Sequence, residues 1–337
     1  MLNENDNAAV FFDSLKKALA GAVNEKILII TVVNCHENSP AEYKNDNLKL
    51  LEKLQNNFYQ LSDLAVFDFT TAGKTLKNGV GEARRKGMDY ALGMFDYDDY
   101  DNAVIASLDA DTIIKEDYFI RIREKFNANP DAGVLTFNVK HQNDAANPEA
   151  ITRYENYMQS YLEGLEFAGS PYAFYTVGSA FAVRAPAYIR AGGMRKIPAG
   201  EDFYFLQSAV KSSNVLHCKD ITVHPSARNS LRVPFGTGTA LLKITENPGE
   251  YAIFPHSCFE KLKILLNIAS EPSNLAAPET FLAAIPEDFR DFFIQHNFHE
   301  TWRKVTLNIP SGKLPDAFLL HWFDGLKTLQ FIKYINL

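Results

Sequence analysis

Near its start the chain places Phe11, Phe12, Leu15 and Leu19 on one side of a helical period, which predicts a short amphipathic helix over residues 9–22. Lys26 to Val33 (KILIITVV) is an uninterrupted β-rich run, the mark of a strand covered on both faces. Residues 41–61 come next as a helix, with Leu48, Leu51, Leu54 and Phe58 near helical spacing. Further strands are predicted at 64–69, 103–108, 133–139 and 214–223, and further helices at 81–92, 115–127 and 203–210. Strands alternating with helices imply crossover connections and a mostly parallel sheet flanked by helices, a Rossmann-like α/β fold. Such sheets bind ligands outside the carboxyl ends of their strands, so the residues just after each apolar run are the ones to inspect.

From about Thr239 the pattern changes. Helical runs at 259–269, 278–284, 287–296 and 317–335 are separated by Pro, Ser, Asn and Gly, and no strand intervenes. The pattern therefore divides the chain into an α/β domain over 1–240 and a helical extension over 241–337, with a packing, oligomer or acceptor role. No run approaches the ~18 apolar residues of a membrane span. Met1 to Asn7 is polar and acidic, where a signal peptide is basic and then apolar.

Composition narrows the classes. At 337 residues the chain is more than twice the length of one compact domain, about 150 residues. Its 46% hydrophobic content excludes general disorder, and 34 Lys+Arg against 41 Asp+Glu, net −7, argue against general nucleic-acid binding. Cys35, Cys218 and Cys258 are too few for a disulfide framework or a Cys-rich zinc site. A cytoplasmic setting is expected, with peripheral contact at the inner face of a membrane left open.

The predicted strand at 103–108 runs directly into Asp109-Ala110-Asp111. Residues two apart in extended backbone point to the same side, so both carboxylates can face one ligand. Two hard oxygen donors there suit Mg²⁺ or Mn²⁺ that also holds substrate phosphates. The plainer reading is a pair of turn-forming aspartates. Asp96-Tyr97-Asp98 and Asp99-Tyr100-Asp101 repeat the spacing with no strand before them and read as a solvated turn. Gly192-Gly193-Met194 leads to Gly200-Glu201-Asp202 at a predicted helix start. Acids there suit the helix dipole; alternatively one carboxylate is a general base that deprotonates an attacking hydroxyl.

In order, the buried first strand, Gly79-Val80-Gly81-Glu82-Ala83-Arg84-Arg85-Lys86-Gly87, Leu108-Asp109-Ala110-Asp111, Val177-Gly178-Ser179-Ala180-Phe181-Ala182-Val183-Arg184, and Gly192-Gly193 with Gly200-Glu201-Asp202 resemble the GT-A fold glycosyltransferases, particularly family 2. The resemblance spans roughly residues 26–240. It implies a hexosyltransferase-type enzyme of glycan biosynthesis. Such an enzyme moves a sugar from a nucleotide-diphosphate donor to a hydroxyl acceptor, a glycan or glycolipid, with inversion. It further implies Asp111 as direct ligand of Mn²⁺ or Mg²⁺, Asp109 at the metal and the donor sugar or ribose, and Arg84 as a donor contact. Glu201 and Asp202 match the acceptor-side carboxylates, with Asp202 as base.

The first strand departs from the family's Pro-x-Tyr-Asn-Glu ending and reads Val33-Asn34-Cys35-His36-Glu37. Asn34 and Glu37 are the corresponding donor-binding candidates, and Asp68 corresponds to an acid that meets the nucleotide base. Some GT-A enzymes take a third metal ligand from the region of His224; a hydrogen-bonded structural His is the plainer reading. Arg228 and Arg232 can bind a departing diphosphate or form surface ion pairs. Gly236-Thr237-Gly238 reads as a loop able to close over donor. Tyr154, Tyr157, Tyr161, Phe167, Tyr172, Phe174 and Tyr175 suit sugar stacking or a helical core. Cys35 and His36, being adjacent, make no nucleophile–base pair. Two rival functions remain: a sugar-phosphate nucleotidyltransferase, which needs a Gly-rich loop where Asn34 to Pro40 stands, and a non-catalytic glycan- or nucleotide-binding module.

Overall fold

The computed structural model describes residues 2–71, 73–228, 236–247 and 249–336. The elements run α1 (Ala8–Gly21), β1 (Ile29–Asn34), α2 (Ala41–Gln55), β2 (Leu64–Phe69), α3 (Gly79–Leu92), β3 (Val104–Ser107), α4 (Tyr118–Ala128), β4 (Ala132–Val139) and α5 (Pro148–Ala168). They continue with β5 (Phe181–Arg184), α6 (Ala185–Arg190), α7 (Glu201–Val210), β6 (Asn214–Val223) and α8 (Thr237–Glu246). The helix predicted to run to residue 61 stops at Gln55, because Asn57 and Gln60 adopt left-handed backbone, φ 48° and 54°. Tyr97–Asn102 form a short 3₁₀ helix capped by the Asp96 carboxylate, which accepts from Asp98 N.

The strands form two sheets, a parallel pair and a mixed sheet of four, and this corrects the mostly parallel arrangement expected from the sequence. β1 and β2 pair in parallel, from Ile29↔Leu64 to Asn34↔Phe69. The other four strands lie in the order β3-β5-β4-β6. β5 runs antiparallel to both β3 and β4, while β4 and β6 are parallel. The reason is β5, a four-residue strand that returns between β3 and β4 and whose Phe181, Ala182 and Val183 are fully buried. A run that short carries no periodicity that reveals its direction.

β6 slips register against β4 between Phe137 and Asn138, so that Phe137 pairs with Cys218 and Asn138 with Thr222. Such a bulge bends its strand and re-aims the residues beyond it. Past it, three strand-end loops are laced together. Lys140 N donates to Val223 O at 3.1 Å and Gln142 N to Pro225 O at 2.9 Å, while Ile113 and His224 exchange two backbone bonds of 2.9 Å.

The chain falls into two compact units, Met1–Tyr154 with Phe174–Glu250, and Glu155–Ala173 with Tyr251–Leu337. Residues 155–173, which the sequence pattern placed in the α/β domain, thus belong with the helical unit. The end of α5 brings Leu165 and Ala168 into a core with Phe259, Leu262 and Leu265. Gly164 has no Cβ because one would collide with the Phe259 ring. The unit also contains α9 (His256–Ala269), α10 (Pro278–Ala284), α11 (Glu287–Gln295), α12 (Phe298–Thr306), α13 (Leu314–Ala317) and α14 (Gly325–Ile335).

The single helix predicted over 317–335 is broken. Phe318–Trp322 form a π-turn, closed by Phe323 N on Phe318 O at 2.7 Å, and Asp324 then caps α14 by accepting from Lys327 N. The break puts Phe318, Trp322, Phe323 and Phe331 into one buried aromatic core with Phe281, Phe293 and Phe298. Tyr157 and Tyr161 stack with planes 10° apart and abut Phe254, so part of the aromatic-rich segment packs within this unit. Among the described residues no helix is long and apolar enough to cross a membrane.

Phe293 is fully buried against the rings of Phe281, Phe298, Trp322 and Phe331. Phe293→Ala is expected to lower stability by about 3–5 kcal/mol, read as a lower urea midpoint of the helical unit's transition. An unchanged midpoint would show that this aromatic core is not close-packed.

Candidate functional site

Arg84, in the second turn of α3, gathers four of the motifs. Its Nε donates to Glu201 Oε1 at 3.2 Å, and its Nη2 donates to Asp109 Oδ1 at 2.8 Å. Nη1 donates to Ser107 Oγ at 2.6 Å and Gly178 O at 2.9 Å, and Ser107 Oγ donates to the same carbonyl at 2.7 Å. The guanidinium and the Glu201 side chain are almost wholly buried, at 9% and 4% exposure. A planar cation with several fixed donors suits such a fork of carboxylates and neutral oxygens.

Glycines make these approaches possible. A Cβ on Gly178 would collide with the guanidinium, and one on Gly81 would lie 2.5 Å from Arg195 O. Gly81 therefore lets α3 settle on the segment that leads to α7. Gly200 ends that segment at φ +73° and turns Glu201 and Asp202 into the helix start. Arg85 fixes the same loop by donating to Gly192 O at 3.3 Å and Met194 O at 2.9 Å. Tyr188 OH accepts from Met194 N and donates to Asp89 Oδ1, at 3.2 and 2.9 Å.

One guanidinium faces three carboxylates here. Burial first, and then the Glu201 charge, push the Asp202 carboxyl up to about 7, against the opposing pull of Arg84. Burial works against the Arg84 charge, but Asp109, Glu201 and Asp202 more than compensate and hold it firmly protonated. An acid that titrates near neutrality beside an open carboxylate can take up and release a proton at physiological pH.

The two strand-end aspartates are drawn to different arginines. Asp109 pairs with Arg84 and keeps 42% of its side chain exposed; Asp111 Oδ2 lies 3.3 Å from Arg228 Nη2 and is 22% exposed. Backbone lacing fixes the Asp111 loop: its carbonyl accepts from Ser226 N at 3.1 Å and from Gln142 Nε2 at 2.7 Å. The ligand trio of Asp109, Asp111 and His224 is not assembled, for among the described residues no three His, Cys, Asp or Glu side chains are grouped to hold a metal ion. His224 Nδ1 is bonded to Lys140 O at 2.8 Å. Since a carbonyl only accepts, Nδ1 is the donor in this bond. Mg²⁺ and Mn²⁺ commonly take one or two carboxylates and complete their shell with water and substrate phosphates. The donor set at Asp109 and Asp111 fits an ion bound that way.

Asn34, buried at the end of β1, gives its carbonyl to Asn47 Nδ2 at 2.9 Å. Glu37 is exposed, and its carbonyl accepts from Lys44 Nζ at 2.6 Å. Asp68 turns back on its own loop. Burial would raise its carboxyl, but the Thr71 hydroxyl, the amides of Thr70 and Thr71, and the Lys74 charge hold it below the usual range. Arg232 lies outside the described residues. Cys35 is a buried thiol pushed up by desolvation, and His36 accepts from Asn38 N, so neither makes a reactive pair. Sequence reading missed Ser107, Gln142 and Asp144, polar residues in strand ends and loops with no pattern around them.

No family model matches the chain, and no curated protein does. Among solved structures it is similar to the mannosyltransferase PcManGT from Pyrobaculum calidifontis, in complex with GDP-Man and Mn²⁺. The two are 12% identical with a TM-score of 0.35, over 98% of this chain and 96% of that one.

Arg84→Met leaves the buried Glu201 carboxylate without its counter-charge. It should cost about 3–5 kcal/mol in chemical denaturation and move the Asp202 carboxyl further up, visible in a ¹³C carboxyl titration. A variant as stable as the native chain, with an unmoved Asp202, would remove Arg84 from the centre of the site.

Proposed function

We propose that the chain is a GT-A-type glycosyltransferase that moves a sugar from a nucleotide-diphosphate sugar to a hydroxyl acceptor, with inversion. One observation carries this reading: a single buried guanidinium ties Asp109, beyond the end of β3, to Glu201, which starts α7 next to Asp202. The donor side and the acceptor side of the proposed reaction thereby share a rigid frame.

In this reading Asp202 accepts the proton of the acceptor hydroxyl. The acceptor oxygen then forms a bond to the anomeric carbon from the face opposite the diphosphate, and the bond from that carbon to the diphosphate oxygen breaks. The electron pair leaves with the nucleoside diphosphate. Arg228, beside Asp111, supplies positive charge where the leaving group's negative charge grows. Glu201 is bound to Arg84 and acts by positioning it, while also raising Asp202. Asp111, with Asp109, is the site for Mn²⁺ or Mg²⁺; such an ion, when bound, offsets charge on the diphosphate. Asn34, Glu37 and Asp68 are assigned to the donor's nucleoside end, outside the reacting centre.

The test is transfer or hydrolysis across a panel of nucleotide sugars with Mn²⁺ present. Asp202→Asn should lower kcat by about 10²–10⁴-fold, and Asp111→Ala should lose the response to Mn²⁺. Transfer undiminished in both variants would sink the assignment. A base must be deprotonated to work, so kcat should rise with pH and level off above about 7.

Stability runs the other way. The folded-state carboxyl of Asp202 lies above its ordinary 3.8, so its favourable contribution is present at low pH and fades as pH rises through about 7. Asp202→Asn is therefore expected to melt at a higher temperature than the native chain at pH 8, with the difference shrinking by pH 5. A lower melting temperature at pH 8 would contradict a carboxyl under strain.

A further inference from the structure

Arg85 follows Arg84 in α3 but directs its donors elsewhere. Its Nη1 donates to Gly192 O at 3.3 Å and Met194 O at 2.9 Å, and its Nε donates to Asp89 Oδ2 at 3.1 Å. The other oxygen of Asp89 accepts from Tyr188 OH at 2.9 Å, and that hydroxyl accepts from Met194 N at 3.2 Å. Arg85, Asp89, Tyr188 and Met194 thus close a ring of hydrogen bonds that holds both the N–H and the C=O of Met194. Arg85 and Asp89 stand one turn apart on α3, and Tyr188 is buried on α6. A half-exposed ion pair like Arg85–Asp89 adds little stability by itself. What it does is aim the guanidinium, whose fork then fixes two carbonyls at once.

The segment so held has glycine at both ends. Gly192 and Gly193 take φ +83° and +71°, and Gly200 takes +73°, so the chain can swivel at either end of residues 194–199. α7 begins directly where the segment stops, with Glu201. Asp202 Oδ1 accepts from Phe203 N at 2.8 Å, so its carboxyl goes wherever the first turn of α7 goes. Arg84 grips that turn at Glu201, and Arg85 fixes the chain leading into it. One anchor leaves a helix start free to pivot about it; a second anchor removes that freedom.

We infer that Arg85, acting with Asp89 and Tyr188, is a positioning residue for the proposed base: the ring of bonds around Met194 sets the angle at which α7 starts, and with it the place of the Asp202 carboxyl opposite the acceptor hydroxyl. The inference rests on the reading of Asp202 as that base. Two adjacent arginines then divide the work, Arg84 balancing the carboxylate charge and Arg85 setting where the base stands. Without Arg85 the segment swings on its glycines about the Glu201 anchor, and Asp202 leaves hydrogen-bond reach of the hydroxyl. A reacting group misplaced by about 1 Å commonly loses about 10²-fold in rate.

The experiment is a double-mutant cycle on the full chain, with kcat and donor KM measured on the nucleotide sugar that the panel identifies. Native, Arg85→Gln, Tyr188→Phe, Asp202→Asn and the pairs Arg85→Gln/Asp202→Asn and Tyr188→Phe/Asp202→Asn are compared, and each is melted to confirm folding. Arg85→Gln should lower kcat by about 10²-fold and leave donor KM unchanged. The Arg85→Gln/Asp202→Asn pair should be no slower than Asp202→Asn, because with the base removed Arg85 has nothing left to position. Native kcat in Arg85→Gln, while Asp202→Asn loses activity, overturns the role of Arg85 and leaves the transferase reading standing; a lowered melting temperature would then mark it as a staple of the loop. Losses that multiply in the pair overturn it too, since Arg85 would be acting elsewhere than through Asp202. Should Arg85→Gln not fold, Tyr188→Phe decides the matter, for it removes one hydroxyl and keeps the ring. A lowered kcat that vanishes in the Asp202→Asn background upholds the inference, and an undiminished kcat refutes it. Native kcat in Asp202→Asn, or no donor turned over by the native chain, overturns both this inference and the reading of Asp202 as base.

Discussion

A guanidinium taken out of water needs nearly every N–H satisfied and its charge balanced close by, and Arg84 obtains both from groups distant in sequence. That requirement explains much of the α/β unit. Ser107 ends β3 with its hydroxyl turned to Arg84, and Gly178 leaves room where any side chain would collide. Gly81 draws α3 onto the loop before α7, and Gly200 brings Glu201 into reach. The charge balance is uneven in effect: three carboxylates against one cation leave Asp202 as the group that gives way. A stable buried pair and a labile proton are two consequences of one arrangement.

A second constraint acts at the carboxyl ends of β3, β4 and β6. Backbone exchange between Ile113 and His224, and the Gln142 amide that serves both the Asp111 and His224 carbonyls at 2.7 Å, make three loops into one piece. Loops built this way present side chains with the precision of sheet residues. Asp109 pairs with Arg84 and Asp111 with Arg228, so each carboxylate of the acidic pair has its own arginine. An ion bridging to substrate phosphates needs less from the protein than a closed cage does.

The helical unit obeys a plainer logic. Its core is built largely from aromatic rings, and the π-turn at Phe318–Trp322 contributes two of them, Phe318 and Trp322. α5 contributes from both sides of the boundary between the units, its residues up to Tyr154 counting with the first and the rest with the second. A long helix with aromatics all along it reads the same in sequence whichever core each turn joins.

Local pattern alone determined a good deal. The buried run ending at Asn34, the strand Leu64–Phe69, the helix from Gly79 and the strand Asn214–Val223 are legible because burial on fixed periods demands those residues. The motif order also singled out Arg84, Asp109 and Glu201, which the structure joins by hydrogen bonds. Tertiary structure alone decided how strands were ordered and directed, because β5 is too short to announce that it returns between β3 and β4. It decided that Arg84 is enclosed by protein oxygens and that Asp68 caps its own loop. It also decided that Glu4 reaches Arg228. Each of these is an encounter between side chains far apart along the chain, and no periodicity encodes the distance between two charges until the backbone has brought them together.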